Sequence, residues 1–138
     1  MIAPELRRIL LVDDDPYILT ITKLALENVG GFTVQVCDSA QAALEQAPIF
    51  SPDLIMLDVM MPGMDGFETV KALRAIPATA KTLVVFMTAL VPPRDQARLK
   101  EMPEVDTIAK PFDPMKLSET ILNIWKKKYD EPNASGTN

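Results

Sequence analysis

Short apolar runs alternate with longer segments of helical periodicity along the chain, and this alternation restricts the fold more than any other sequence feature. The strand-like runs are Ile9–Val12, Phe32–Cys37, Leu54–Leu57, Leu83–Met87 and Val105–Ala109. The segments with helical spacing are Pro16–Val29, Ser39–Ala47, Asp65–Ile76, Pro93–Glu101 and Asp113–Lys128. A strand followed by a helix, repeated along the whole chain, predicts an α/β domain whose parallel sheet carries helices on both faces.

The composition of the apolar runs predicts their order in the sheet. The first, third and fourth runs, "ILLV", "LIML" and "LVVFM", are continuously apolar, as strands covered on both faces are. The second run, "FTVQVC", alternates with polar residues and the fifth, "VDTIA", is mixed, so these two suit the edges. We therefore predict the strand order 2-1-3-4-5 of a flavodoxin-like (βα)5 doubly wound fold, in which sites form beyond the carboxyl ends of the strands.

The size and composition of the chain predict a single domain. We expect residues 1–129 to form this domain and residues 130–138, "DEPNASGTN", to be a disordered polar tail. The single cysteine, Cys37, excludes an internal disulfide and fits a reducing, cytoplasmic location. No apolar run approaches the ~18 residues of a membrane span, so we expect no membrane association.

The charge and the available residue types narrow the chemistry further. The formal net charge is −5, which disfavours contact with nucleic acid phosphates, so we predict no direct DNA binding. We interpret the basic run Lys126–Lys128 as the solvated end of the last helix. The chain has no histidine, the commonest general base and transition-metal ligand. Its chemistry must therefore depend on carboxylates, lysines and hydroxyl groups.

Acidic residues follow two strands that are neighbours in the predicted sheet. Asp13, Asp14 and Asp15 come directly after the first strand, and Asp58 ends the third. Because the carboxyl ends of parallel strands meet at one edge of a sheet, we expect these carboxylates to lie close together. We interpret Asp15 as the cap of the following helix, because a proline comes directly after it.

A hydroxyl and an amine are predicted at the same edge, because Thr88 ends the fourth strand and Lys110 ends the fifth. Two carboxylates ~4 Å apart repel by about 4 kcal/mol at an effective dielectric constant of ~20, and a divalent cation relieves this repulsion. Oxygen ligands without histidine or cysteine favour Mg²⁺, for which Mn²⁺ can substitute. A carboxylate beside Mg²⁺, a lysine and a hydroxyl is suited to capture a phosphoryl group, whose oxygens the cations neutralise.

The motifs at the strand ends, taken together, resemble the receiver domain of the two-component response regulator family. They are "ILLVDDDP", "PDLIMLDVMMPGMDGFE", "VVFMTA" and "IAKPF", and they occur in the order and at the spacing of that family. The resemblance extends from about Arg8 to Lys127, nearly the whole chain. Any one of these motifs alone is a weak signal, whereas the ordered set is specific.

The resemblance implies a role for each site residue. Asp58 would be the phosphoacceptor and a metal ligand. Asp14 would bind Mg²⁺ directly, Asp13 would act through a water molecule, and the backbone carbonyl of Met60 would complete the protein ligands. A hydrogen bond from Thr88 and an ion pair from Lys110 would reach the phosphoryl group. The peptide bond between this lysine and the proline after it would be cis.

The resemblance also implies what the domain does. A sensor histidine kinase or a phosphotransfer protein would donate the phosphoryl group, and the phosphorylated domain would change conformation to control an unknown downstream protein target. Such a domain is not an enzyme with a turned-over substrate, although it catalyses its own phosphorylation and dephosphorylation. The family usually has Tyr or Phe three residues before the lysine of the fifth strand, whereas this chain has Thr107. We expect this departure to affect signal relay rather than phosphorylation.

Three other interpretations fit parts of the sequence. A Mg²⁺-dependent phosphohydrolase that forms an aspartyl phosphate has a second acid two residues after the nucleophile, where this chain has Met60. A flavin or nucleotide binder of the same winding needs a Gly-, Ser- or Thr-rich phosphate loop, whereas "DDDP" is acidic. A degenerate receiver that only docks partners has no need for the complete set of site residues found here.

Overall fold

The computed structural model describes residues 4–89 and 93–130. Within these ranges no helix is long and apolar enough to cross a membrane. The described chain ends with the last helix at Asp130, and residues 131–138 of the expected tail lie outside the described residues. The division into a domain of residues 1–129 and a disordered tail therefore stays a prediction.

The parallel sheet has the order β2-β1-β3-β4-β5, which confirms the predicted fold class. Its strands are β1 (Arg8–Val12), β2 (Thr33–Cys37), β3 (Leu54–Asp58), β4 (Leu83–Thr88) and β5 (Asp106–Ala109). Every residue of β3 is buried, as are all but one residue of β1 and of β4. The edge strands β2 and β5 mix buried with exposed residues. The difference in hydrophobicity between the runs thus reflects their position in the sheet.

Within the described residues, five α-helices connect or follow the strands, and each lies where the helical periodicity predicts one. They are α1 (Pro16–Asn28), α2 (Ala40–Phe50), α3 (Gly66–Arg74), α4 (Pro93–Lys100) and α5 (Pro114–Asp130), and a short 3₁₀ helix spans Pro77–Thr79. Asp15 caps α1 by accepting a hydrogen bond from the backbone N–H of Tyr17 at 2.9 Å. Asp65 and Glu68 form the reciprocal capping box at the start of α3 that their spacing predicts.

Helix α2 is longer than predicted, since it continues to Phe50 rather than ending at Ala47. Pro48 lies in its last turn, where the missing N–H costs a single helical hydrogen bond. Burial of the Phe50 side chain, which is 8% exposed, favours the additional turn. The helix ends at Ser51, whose φ of 55° is left-handed and whose N–H donates to the Ala47 carbonyl.

The sheet separates two apolar cores, because alternate residues of a strand point to opposite faces. Leu10 and Val12 of β1 belong to the core that includes residues of α2 and α3. Ile9 and Leu11 of the same strand belong to the other core, which includes residues of α1 and α5. Because helices cover both faces of the sheet, its carboxyl edge is the place where polar side chains can converge.

Candidate functional site

Three carboxylates converge at the carboxyl edge of the sheet, where β1 and β3 lie side by side. Asp13 follows β1 and is fully buried, Asp58 is the last residue of β3 and is 7% exposed, and Asp14 is exposed. Each offers a carboxylate oxygen, and these three oxygens lie within 4.8 Å of one another. This donor set of oxygens suits a hard divalent cation, so the cluster can hold a metal ion.

Asp13 is fixed by hydrogen bonds to both of its carboxylate oxygens. The backbone N–H of Asp15 donates to Oδ1 at 2.9 Å, and the Lys110 ammonium donates to Oδ2 at 2.8 Å. The first of these bonds closes a tight turn after β1. On either side of this turn the Asp13 side chain lies towards Asp58, whereas the Asp15 side chain caps α1. The side chains of the acidic triplet thus have different tasks, as the sequence indicates for Asp15.

Lys110 joins the two buried carboxylates of the cluster. Its Nζ lies 2.8 Å from Asp13 Oδ2 and 3.3 Å from Asp58 Oδ1, and its side chain is 17% exposed. Burial alone would lower its pKa, but the hydrogen bond to Asp13 and the negative charges of Asp58 and Asp13 raise it above the usual value. Lys110 is therefore a permanent cation at neutral pH. Its peptide bond to Pro111 is cis, as the resemblance implies.

The Asp58 carboxyl group has a pKa that is raised from 3.8 to about 6. Burial is the largest cause, the neighbouring charge of Asp13 is the next, and Lys110 offsets only part of their effect. The cluster is therefore short of positive charge, because one lysine faces three carboxylates. A divalent cation would supply the missing charge.

Thr88 ends β4 one residue beyond Met87, which lies opposite Asp58 in the register of the two strands. Its backbone carbonyl accepts a hydrogen bond from the Lys110 N–H at 2.8 Å, which ties the ends of β4 and β5 together. Its hydroxyl oxygen is buried and has no hydrogen-bond partner among the described residues. A buried hydroxyl without a partner is costly, so it is available to a polar group that enters the site.

Met60 lies in the loop between β3 and α3, and its side chain is about half exposed. The two ends of this loop meet, because the Gly66 N–H donates to the Val59 carbonyl at 2.7 Å. Among the predicted site residues, the structure brings Asp13, Asp14, Asp58 and Lys110 into one cluster. Thr88 ends the adjacent strand β4, and Met60 follows Asp58 by two residues in the loop after β3, so both lie at the same edge of the sheet.

One contact beside the site was not predicted from the sequence. The guanidinium group of Arg98, on α4, forms two hydrogen bonds with the carboxylate of Asp65, the cap of α3. The capping box identifies Asp65 as a helix cap, but the two residues are 33 positions apart and belong to different elements. No local spacing connects them, so only the folded structure reveals the pair.

Solved structures with the same fold include several receiver domains. The chemotaxis protein CheY4 of Vibrio cholerae superposes with a TM-score of 0.78 at 29% sequence identity, over 87% of this chain and 99% of CheY4. The receiver domain of the sensor histidine kinase PA1611 of Pseudomonas aeruginosa, with a magnesium ion coordinated in its active site cleft, superposes with a TM-score of 0.75. Its sequence identity is 26%, over 88% of this chain and 98% of that domain.

The DNA-binding response regulator MtrA of Mycolicibacterium smegmatis is 33% identical over 126 residues, which are 91% of this chain and 54% of MtrA. The chain thus spans about half the length of the curated relatives it matches. The prediction of no direct DNA binding is contradicted by these relatives, because MtrA is a DNA-binding response regulator. The prediction rested on the net charge of −5, which describes this chain alone and carries no information about the part of the relatives that it does not match.

The sequence model of the response regulator receiver domain matches residues 9–122, more than three quarters of the chain. The match extends from β1 into α5 and includes every strand of the sheet. Members of this family are phosphorylation switches rather than enzymes with a turned-over substrate. The fold, the acidic cluster and this match agree, and the chain belongs to the receiver domain family of two-component response regulators.

Proposed function

We propose that this receiver domain accepts a phosphoryl group on Asp58 from a phosphohistidine of a partner protein, and that the acyl phosphate changes the conformation of the domain. The observation that carries this proposal is the position of the Asp58 carboxylate, which lies within 4.8 Å of two further carboxylates and 3.3 Å from the Lys110 ammonium. The proposed nucleophile, the lysine cation and the proposed metal ligands thus lie together at one edge of the sheet.

In this proposal the metal is Mg²⁺, for which Mn²⁺ can substitute. Asp14 and Asp58 bind it directly, Asp13 acts through a water molecule, and the Met60 carbonyl supplies a further ligand. The clustered carboxylates support this assignment, as does the magnesium ion in the cleft of the Pseudomonas receiver domain. The two hydrogen bonds that occupy Asp13 agree with its indirect role. When bound, the metal supplies positive charge that neutralises phosphoryl oxygens.

The transfer is a displacement at phosphorus. A carboxylate oxygen of Asp58 attacks the phosphorus atom, the new P–O bond forms as the P–N bond to the donor imidazole breaks, and the imidazole nitrogen keeps the electron pair. Lys110 moves from carboxylates to a phosphoryl oxygen, and the Thr88 hydroxyl, which has no partner among the described residues, donates to another. Water later attacks the phosphorus atom, the P–O bond to Asp58 breaks, and inorganic phosphate leaves as the carboxylate is regenerated. The domain thus promotes both reactions on its own side chain.

Incubation with acetyl phosphate and Mg²⁺, followed by intact-mass measurement, tests the proposal. The native chain should gain one phosphoryl group, and Asp58→Asn should gain none, because an amide is a much weaker nucleophile. Asp38→Asn is a matched control, because Asp38 is an exposed aspartate that follows β2 at the same edge of the sheet. A stable phosphoryl group on the Asp58→Asn protein would refute the assignment.

A further inference from the structure

Arg98 on α4 contacts the start of α3 through the side chains of Asp65 and Phe67. Its two terminal nitrogens lie 3.0 and 3.3 Å from the two carboxylate oxygens of Asp65, the paired geometry that a planar guanidinium group provides. Its carbon Cζ lies 4.2 Å from the centroid of the Phe67 ring. A third hydrogen bond, to Asp95 at 3.3 Å, fixes Arg98 on its own helix. The Phe67 ring packs edge-on against Phe86 of β4, with 5.3 Å between the ring centroids.

Asp65, whose carboxylate binds Arg98, also forms the hydrogen bonds that cap the start of α3. Asp65 Oδ1 accepts the Glu68 N–H at 2.9 Å, and the Glu68 carboxylate accepts the Asp65 N–H at 3.0 Å. The Asp65 carbonyl accepts the hydroxyl hydrogen of Thr69 at 2.7 Å. Movement of Asp65 would therefore disturb several hydrogen bonds of the first helical turn. By binding Asp65, Arg98 stabilises the position of the whole turn.

This turn closes the loop that follows Asp58. The Gly66 N–H donates to the Val59 carbonyl at 2.7 Å, and residues 59–65 form the loop between these two points. A side-chain carbon on Gly66 would lie 2.8 Å from the Asp58 carbonyl oxygen, so the start of α3 sits directly on the backbone of the phosphoacceptor. This turn therefore anchors the far end of the loop that carries Met60 against the backbone at Asp58 and Val59.

We propose that Arg98 is a positioning residue for the metal site: by holding Asp65, it fixes the closure of the loop 59–65 and so the placement of the Met60 carbonyl beside Asp58. This inference rests on the proposed function, because it assumes that this carbonyl binds the metal. An exposed ion pair contributes little by itself. Arg98 is itself 36% exposed, but it differs from an isolated pair because it lies over an aromatic ring and forms its two bonds to a carboxylate that the helix cap already fixes.

The first test compares Mg²⁺ binding by calorimetry in native protein, Arg98→Met and Lys100→Met. The methionine at position 98 keeps an apolar side chain over Phe67 but loses both hydrogen bonds to Asp65. We expect its Kd for Mg²⁺ to rise about tenfold, the lower end of the range for residues that orient metal ligands. Lys100 is an exposed cation on the same helix, and its replacement should leave the Kd unchanged.

The second test separates positioning from stability. At low Mg²⁺, Arg98→Met should be phosphorylated by acetyl phosphate more slowly than native protein, and saturating Mg²⁺ should restore most of the rate. Arg98→Lys should lie between the two, because it keeps the charge but loses the paired geometry. If Arg98→Met lowers only the melting temperature and binds Mg²⁺ as the native protein does, the inference is wrong.

A partner variant tests the same link from α3. Asp65→Asn retains a good helix cap but weakens the ion pair with Arg98. It should raise the Kd for Mg²⁺ to a similar extent, and the double variant should be no worse than either single one. Additive effects would overturn the link even if both variants bind Mg²⁺ weakly. Phosphorylation of Asp58→Asn would instead refute the proposed function, so the two failures can be distinguished.

Discussion

At the scale of single residues, Asp58 combines two properties that oppose each other. It is buried beside a second carboxylate, which disfavours its ionised form, yet it must be ionised to act as a nucleophile. Its pKa, raised to about 6 by burial and then by the charge of Asp13, shows the cost of this arrangement. Lys110 reduces that cost but does not remove it, which explains why the site favours a metal.

Asp58→Asn should therefore stabilise the metal-free protein at neutral pH. Because the folded pKa lies above the value of 3.8 in the unfolded chain, ionised Asp58 disfavours folding above pH 6, and this penalty disappears as the pH falls from about 6 towards 4. The gain in unfolding free energy at pH 7.5 should be about 1–3 kcal/mol and much smaller at pH 4.5. Urea unfolding in EDTA at both pH values measures it. A loss of stability at pH 7.5 would contradict the electrostatic argument.

At the scale of secondary structure elements, most of the fold and part of the site follow from local patterns. The strand order was predictable because buried strands are continuously apolar, and α1 and α3 were predictable from Asp15 and the capping box. The end of α2 was not, because burial of Phe50 outweighs the proline signal. The clustering of the three carboxylates was predictable, because they follow two neighbouring strands whose carboxyl ends lie side by side. The bond between Lys110 and Asp13 depends on side-chain packing across 97 positions, which no periodicity encodes.

The docking of α3 on β3 gives a second prediction. Gly66→Ala should lower the unfolding free energy by about 2 kcal/mol, because its Cβ would lie 2.8 Å from both the Asp58 carbonyl oxygen and the Val59 Cα, and backbone must move. It should also slow phosphorylation by acetyl phosphate, because that backbone carries the proposed phosphoacceptor, Asp58. Thermal unfolding and intact-mass time courses measure the two effects.

Gly63→Ala is the control for this change. Gly63 lies in the same loop with a φ of +78°, and nothing lies within 4 Å of its Cβ position. Its replacement should cost roughly 1 kcal/mol of backbone strain without displacing Asp58. If both alanine variants were phosphorylated at the native rate, close packing of α3 on the backbone at Asp58 would not matter for the reaction.

At the scale of the whole molecule, charge is distributed unevenly between the two edges of the sheet. The carboxyl edge carries the acidic cluster, whereas a groove of about 500 Å³ at the amino edge is lined by Arg74, Lys81, Lys127 and Lys128, together with Glu104 and Asp106. The last two lysines are exposed, as expected for a helix end. However, Lys128 also donates to the Lys81 carbonyl and lies 5.4 Å from the Tyr129 ring. The net charge of −5 therefore does not describe how charge is distributed between the two edges of the sheet.

Concentrating negative charge at one edge links metal binding to global stability. Mg²⁺ should raise the melting temperature of the native protein, and at ten times its Kd the gain in unfolding free energy is about 1.4 kcal/mol.

Asp14→Ala should be more stable than the native chain without metal and less stable with it. Without metal the variant should unfold at a higher temperature than the native chain, because one of three crowded carboxylates is gone. With Mg²⁺ it should gain little, because a proposed direct ligand of the metal is missing. Melting curves in EDTA and in rising Mg²⁺, at constant ionic strength, measure both effects. Asp38→Ala should respond to Mg²⁺ as the native chain does. If Asp14→Ala were less stable than native protein in EDTA, or equally stabilised by Mg²⁺, repulsion within the cluster would not be what the metal relieves.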